Sequence, residues 1–301
     1  MSIPFIGPES EDRLDWIALT GTLQRGHDLP RAEVDDTFLY RGPDTILSRA
    51  AWIDGLGALV KTATIFPGNA GMGLPTIGGA VSLFSDRDGR LDAMLDFALV
   101  TKWKTAGDSL LAATRLARPD SRRILLVGSG TVARALHEAY GAAFPNAAFR
   151  VWSRSADAAR RFAETCGIEA EPDLEGAVRA ADIVSCATMA TEPVVRGAWL
   201  QPGTHLDLIG AYRPDMREAD DEALRRATIY VDARATTLDH IGEMKIPLAA
   251  GVITQEDVRA DYYDGPKAMR RRSSDEITLF KNGGGGHLDL MTARYILDTL
   301  A

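Results

Sequence analysis

The chain has 301 residues, in which 42 Asp and Glu outnumber 34 Lys and Arg to give a net charge of −8. That balance argues against a nucleic-acid binder, which needs surplus cations to neutralise phosphates, and no apolar run approaches the roughly 20 residues that cross a bilayer. The opening MSIPFIGPESEDRLDW lacks the layout of a secretory signal, and two cysteines without metal-type spacing, Cys166 and Cys186, fit a reducing cytoplasm with no metal site.

Residues 1–45 are polar, broken by Pro and Gly, and show no clear period. From Arg49 to Phe66 the second half turns β-branched, in the manner of a strand. The stretch from Phe66 to Pro75 reads as a turn or extended loop. A hairpin follows: Ala80 to Ser85, the Asp86-Arg-Asp-Gly89 turn, then Leu91 to Leu95. Leu110, Leu111, Ala113 and Leu116 mark one face of a helix over Lys104–Ala117, which Arg118-Pro119-Asp120 ends.

The pattern then changes to alternating strands and helices. Arg123–Val127, Ala148–Trp152, Asp182–Thr188, Leu206–Gly210 and Thr228–Val231 are short apolar strands; helices run to Tyr140 and over Ala156–Cys166. Strands apolar on both faces indicate a parallel sheet covered on both sides. The fold class is α/β: a Rossmann-type, doubly wound parallel sheet is expected at 118–270. After four glycines, Gly283 to Gly286, a last helix over His287–Leu300 is expected to return to the first domain. That domain, residues 1–117 and 271–301, is then discontinuous and α+β.

Gly128-Ser129-Gly130-Thr131-Val132-Ala133 follows a strand and opens a helix. Gly128 permits the tight turn, Gly130 lets backbone amides reach a pyrophosphate, and Ala133 allows close helix–strand packing. An anion would rest on the helix N-terminus. Where an NAD site carries Asp or Glu, this chain has Ser153-Arg154-Ser155 after its second strand. A guanidinium and two hydroxyls suit a 2′-phosphate, which favours NADP(H) while leaving NAD(H) possible; the alternative is that Arg154 is a solvated loop residue.

Several segments together resemble the ornithine cyclodeaminase/mu-crystallin family. They are Lys61-Thr-Ala-Thr-Ile-Phe-Pro-Gly-Asn69, Leu99-Val-Thr-Lys-Trp-Lys-Thr-Ala106, the glycine motif, Ala187-Thr-Met-Ala-Thr-Glu-Pro193, Gly210-Ala-Tyr-Arg-Pro-Asp-Met-Arg-Glu218 and Asp275-Glu-Ile-Thr-Leu-Phe-Lys281. The resemblance implies a Rossmann domain plus a discontinuous substrate and homodimerisation domain, binding NAD or NADP against small amino or imino acids. It puts a carboxylate clamp on Arg41, Lys61 and Lys104, and cofactor contacts on Thr76, Gly210 and Asn282, the last also bordering the substrate; Thr188 and Met189 join them by their place at the end of the third strand of the Rossmann domain, where a dinucleotide crosses. The chain departs from the family pattern at Lys104, where Arg is usual, and lysine loses the planar two-pronged grip. It departs again at Tyr212, where cyclodeaminases carry a catalytic Asp; Tyr212 is either a proton donor or a packing residue. His287 beside the glycine run either meets an anion or caps the helix.

The reading favoured by these residues is an NAD(P)H-dependent reductase of a small α-imino acid, either a cyclic ketimine or, from the count of Arg41, Lys61, Lys102 and Lys104, a dicarboxylic imine such as iminosuccinate. The alternatives are an ornithine-type cyclodeaminase using bound NAD and a non-catalytic, mu-crystallin-like small-ligand-binding protein.

Overall fold

The structure, a computed structural model, describes residues 3–300. In chain order its elements are β1 (Phe5–Ile6), α1 (Trp16–Gly26), β2 (Glu33–Arg41), β3 (Asp44–Ile53), β4 (Gly57–Ile65), β5 (Ile77–Phe84), β6 (Leu91–Asp96) and α2 (Phe97–Leu116). There follow β7 (Arg123–Val127), α3 (Thr131–Ala143), β8 (Ala148–Trp152), α4 (Ala156–Cys166), β9 (Glu169–Ala170), α5 (Leu174–Ala180) and β10 (Ile183–Cys186). The rest are β11 (His205–Leu208), α6 (Asp221–Arg226), β12 (Thr228–Val231), α7 (Arg234–Thr237), α8 (Gly242–Ala249), β13 (Val258–Ala260), β14 (Thr278–Lys281) and α9 (Gly286–Leu300). Two compact units result, Met1–Lys104 with Gly285–Ala301, and Thr105–Gly284.

The first unit is built on a six-stranded sheet in the order β1-β6-β5-β4-β3-β2. Only the β1–β6 pair is parallel; β2 to β6 run as an antiparallel meander. Along β4, Leu59, Lys61 and Ala63 are buried while Val60, Thr62 and Thr64 are half-exposed, so one face is core and the other is open. Helix α9 lies across the core face, against β3, β4 and β5, with α1 beside it. Helix α1 falls in the stretch that reads as featureless: Asp15 caps it by accepting from the Ala18 amide at 2.7 Å, and Trp16, Leu19 and Leu23 bury one face. Strand β3 is also unforeseen, because its interior mixes Ser48 and Arg49 with apolar residues.

The first turn of α9 presses on the sheet. A Cβ added to Gly286 would stand 2.9 Å from Ala51 Cβ, 3.2 Å from Val34 Cγ1 and 3.3 Å from Arg49 Cδ. No side chain fits there, which gives one member of the glycine run a packing reason.

In the second unit eight strands are all parallel, in the order β13-β12-β14-β11-β10-β7-β8-β9. The order reverses between β7 and β10, the position where open α/β sheets bind ligands at the carboxyl ends of their strands. Val127, Val184, Cys186, Leu206, Leu208 and Leu279 are among its buried core residues, and runs apolar on both faces explain why these strands are legible in the sequence. Strand β14 differs from expectation. Residues 271–284 belong with this unit, because Thr278–Lys281 pairs with β11 on one side and β12 on the other; only the helix after it joins the first unit. Helix α2 likewise starts earlier than expected, at Phe97, and the boundary falls within it. No described helix is long and apolar enough to cross a membrane.

Replacing Gly286 by Ala should lower stability by about 1–3 kcal/mol, the usual cost of overpacking. Thermal unfolding of the two proteins side by side would register it.

Candidate functional site

In the second unit the glycine motif forms the β7–α3 turn. Gly128 has φ +115°, and a Cβ there would stand 2.6 Å from the Ala187 carbonyl oxygen, so only glycine fits. Gly130 is the N-cap of α3, with no side-chain cap and nothing within 4 Å of an added Cβ. Thr131 and Val132 open the helix. Backbone amides at an uncapped helix start, beside a surface kept clear of side chains, suit the pyrophosphate of a dinucleotide. Ser129 and Ser153 hydroxyls bond across the β7 and β8 ends at 3.1 Å. Arg154 is exposed and enters none of the hydrogen bonds or ion pairs among the described residues, leaving its guanidinium open to a ligand phosphate. Ser155 is committed to capping α4, accepting from the Ala158 amide at 3.3 Å.

The loops after β10 and β11 carry Thr188, Met189 and Gly210, and one buried carboxylate ties them together. Glu218 Oε1 accepts from the Thr188 amide at 2.7 Å and its hydroxyl at 2.8 Å; Oε2 accepts from the amides of Gly210 at 2.6 Å and Ala211 at 3.3 Å. Burial pushes the Glu218 pKa up to about 8, against the pull of the Lys281 ammonium. Four converging donors nevertheless leave no place for a proton, so the network holds the anion. Gly210 has no room for a side chain, since a Cβ would fall 1.8 Å from the Thr188 carbonyl oxygen. Glu243 accepts from the amides of Glu218 and Ala219 at 2.7 and 3.1 Å, and fully buried Lys281 donates to the Leu208 carbonyl at 2.9 Å. Glu218 and Lys281 stand inside motifs the sequence singles out, but nothing in their spacing announces this role. Beneath them Asp207 accepts from Tyr140 at 2.6 Å, Ser185 at 2.8 Å and Ser109 at 3.1 Å. Burial raises its pKa to about 6 even so.

In the first unit, charge gathers on the core face of the sheet. Strand register sets Asp36, Arg49 and Lys61 side by side on β2, β3 and β4. Arg49 grips Asp36 through two bonds of 2.8 and 2.5 Å. Lys61 Nζ donates to Asp289 Oδ1 on α9 and to Thr101 Oγ1 on α2, both at 2.8 Å, and lies 4.7 Å from the Phe97 ring centroid. Burial lowers the Lys61 pKa while Asp289 works against the shift. Burial works to raise the Asp289 carboxyl, but Lys61, Lys104 and Arg49 together hold it below its ordinary value. Lys104 is buried on α2, and none of the hydrogen bonds or ion pairs among the described residues engages it.

Several expected site residues lie elsewhere. Arg41 does not join Lys61: side chains alternate along β2, so Arg41 points to the face opposite Asp36, at the tip of the β2–β3 hairpin, where it is exposed and pairs with Asp44 at 2.9 Å. The arginine on the core face is Arg49, and the only sequence signal for it is the period of two that links Arg49, Ala51 and Ile53. Lys102 is held by Glu11 at 2.7 Å. Asn282 is a buried strut, its side-chain amide donating to the Thr105 carbonyl and Ser109 Oγ, each at 3.0 Å. Tyr212 is exposed on the loop after β11, as is Met189 after β10. Thr76 is half-buried ahead of β5, its carbonyl accepting from the Phe66 amide at 2.8 Å. His287 does not face solvent: it is buried in the first turn of α9, edge-on to His27 at 5.4 Å, and burial drives its pKa well below the usual value. Among the described residues no group of three His, Cys, Asp or Glu is arranged to hold a metal ion.

Comparison with known proteins adds to this geometry. A model described as the ornithine cyclodeaminase/mu-crystallin family matches residues 54–301. A Delta(1)-pyrroline-2-carboxylate reductase of Paracoccus denitrificans is 53% identical, covering 97% of this chain and 95% of its own. The Thermococcus litoralis Delta(1)-pyrroline-2-carboxylate reductase, solved with NADH and L-proline, superposes with a TM-score of 0.89 at 25% identity, over 99% of this chain and 97% of that one. An archaeal alanine dehydrogenase dimer with bound NAD also reaches 0.89, at 28% identity, over 99% and 96%.

The Asp207 network makes a pH-dependent contribution with a definite sign. A carboxyl whose folded pKa of about 6 exceeds its ordinary 3.8 binds its proton more tightly in the folded state, so stability falls as pH rises through that window. Relative to Asp207→Asn, the wild type should lose up to about 3 kcal/mol between about pH 4 and about pH 7, read from denaturant unfolding at the two pH values.

Proposed function

The chain belongs to the ornithine cyclodeaminase/mu-crystallin family, and on that premise we propose that it is an NAD(P)H-dependent reductase of a small α-imino acid, with a cyclic ketimine carboxylate of the pyrroline-2-carboxylate kind as substrate. It is an oxidoreductase acting on CH–NH groups. The observation that carries the reading is the combination, in one chain, of a side-chain-free dinucleotide turn with a buried lysine, Lys104, that makes no hydrogen bond or close ion pair and only shares the field of Asp289 with Lys61 and Arg49. A substrate carboxylate would answer it.

When bound, the dinucleotide supplies the hydride that goes to the imine carbon. The chain's own residues bind and orient. The uncapped start of α3 holds the pyrophosphate, and the Glu218 carboxylate keeps the Thr188 and Gly210 loops in one arrangement. Lys104 takes the substrate carboxylate, giving it orientation and charge balance in a buried setting. Lys61, an ammonium with a lowered pKa, is the candidate source of the proton that the imine nitrogen gains. Tyr212, exposed on its loop, is given no role. A ring-closing deaminase is the weaker reading, because an aromatic side chain stands where the family resemblance places a catalytic carboxylate.

Two finer features belong to the same proposal. NADP(H) is favoured over NAD(H) by the open guanidinium of Arg154 and by the lack of a carboxylate in Ser153-Arg154-Ser155. A homodimer is favoured by the open face of the first unit's sheet, where Leu39, Ile46 and Trp52 stand exposed beside Ala50 and Val60. Glu33, Asp35 and Arg41 charge that face along β2, and a second copy is the natural cover of its apolar remainder.

The wild type should oxidise NADPH with Δ1-pyrroline-2-carboxylate and release no ammonia from ornithine; ammonia release without imine turnover would reverse the assignment. Arg154→Ala should raise KM for NADPH by about tenfold or more and leave KM for NADH nearly unchanged. An equal rise for both cofactors would remove the phosphate contact.

A further inference from the structure

We propose that Asp289 is a specificity-determining residue: it spends the charge of Lys61 from within the chain, leaves Lys104 to hold one substrate carboxylate, and turns dicarboxylic imines away. The proposal deepens the imine-reductase reading and rests on it.

A count of cations along the sequence leaves room for a second acidic group, and the structure removes that room one cation at a time. Arg41 is on the opposite sheet face with Asp44, Lys102 is held by Glu11, and Arg49 is gripped by Asp36. Lys61 is the cation a second ligand carboxylate would seek, and Asp289 Oδ1 already occupies that place at 2.8 Å. His287, the other basic group of the α9 first turn, is kept neutral by burial. Three buried or half-buried cations, Arg49, Lys61 and Lys104, thus face two carboxylates, Asp36 and Asp289, and one positive charge is unanswered. That matches a monocarboxylate.

Asp289 also acts as a barrier. Its Oδ2 is buried and has no hydrogen-bond partner among the described residues, so a second ligand carboxylate approaching Lys61 would meet an anion there. Juxtaposed like charges of low solvent exposure are a strong device for rejecting a wrong ligand. Delivery of Asp289 to this place depends on the tail: Gly286 lets the start of α9 lie against Ala51 and Val34, and Asp289 follows within one turn.

The test compares two planar, non-reducible ligands, pyrrole-2-carboxylate and pyrrole-2,5-dicarboxylate, by calorimetry on the dinucleotide-loaded protein. The wild type should bind the monocarboxylate more tightly by about tenfold or more, and Asp289→Asn should narrow that gap by about tenfold or more as Lys61 is released. Equal binding of both ligands by the wild type, or an unmoved ratio in Asp289→Asn, would overturn the assignment. Should Asp289→Asn not fold, the double variant Lys61→Met/Asp289→Leu removes both charges together. Monocarboxylate binding kept within about threefold supports Lys104 as the anchor, and a loss of about thirtyfold or more returns that role to Lys61 and overturns the proposal. Turnover of Δ1-pyrroline-2-carboxylate is followed in parallel. Its absence from the wild type strikes the reductase reading, whereas turnover with an unmoved binding ratio strikes only the role of Asp289.

Discussion

A lysine on the buried face of a sheet has to have its charge answered, and in the first unit that requirement organises everything around it. Lys61 sits between Leu59 and Ala63 on β4 and is answered by Asp289 on α9 and Thr101 on α2. Removing one partner of such a pair leaves an uncompensated buried charge, a loss of several kcal/mol rather than the small contribution of a surface ion pair. The placement of α9 on the sheet, the glycine that lets it approach and the pairing of Arg49 with Asp36 all serve one electrostatic arrangement. The second unit meets the same demand by other means: Lys281 lies among Glu218, Glu243, Asp232 and Asp207, and the two glutamates use their acceptor capacity on backbone amides.

Much of the second unit is legible in the sequence because its strands are short, apolar on both faces and punctuated by glycine turns. Strands β7, β8 and β12 and helix α4 fall where the apolar runs predict them. The Gly128–Ala133 motif signals its own context, since a strand, a tight turn and a helix are all written within a dozen residues. Strand β14 is not assigned to this sheet from sequence, because a strand inserted between β11 and β12 is contributed by a segment remote from both, and periodicity carries no information about which sheet a strand joins.

The first unit is read less well, for a related reason. Its open sheet face mixes Glu33, Asp35 and Arg41 with Leu39, Ile46 and Trp52, and its core face carries Asp36 and Arg49, so β2 and β3 lack the polar-apolar alternation that marks a strand exposed on one side. Arg41 and Arg49 illustrate the consequence. Resemblance selects Arg41, whereas the two-residue period of the pleat, invisible until the strand bounds are known, brings Arg49 to Lys61 and turns Arg41 away. Asp289 has no local signal at all. Its meaning depends on Lys61, 228 residues earlier.

That separation has a consequence for biosynthesis. At roughly 5–20 residues per second, Lys61 leaves the ribosome about 10–50 s before Asp289 is made. Strands β5 and β6 and then the whole second unit are synthesised in the interval, while the carboxylate that answers the Lys61 ammonium does not yet exist. The last helix therefore does more than cover the sheet: the ion pair that lets the Lys61 charge be buried can form only once nearly the whole chain has been made.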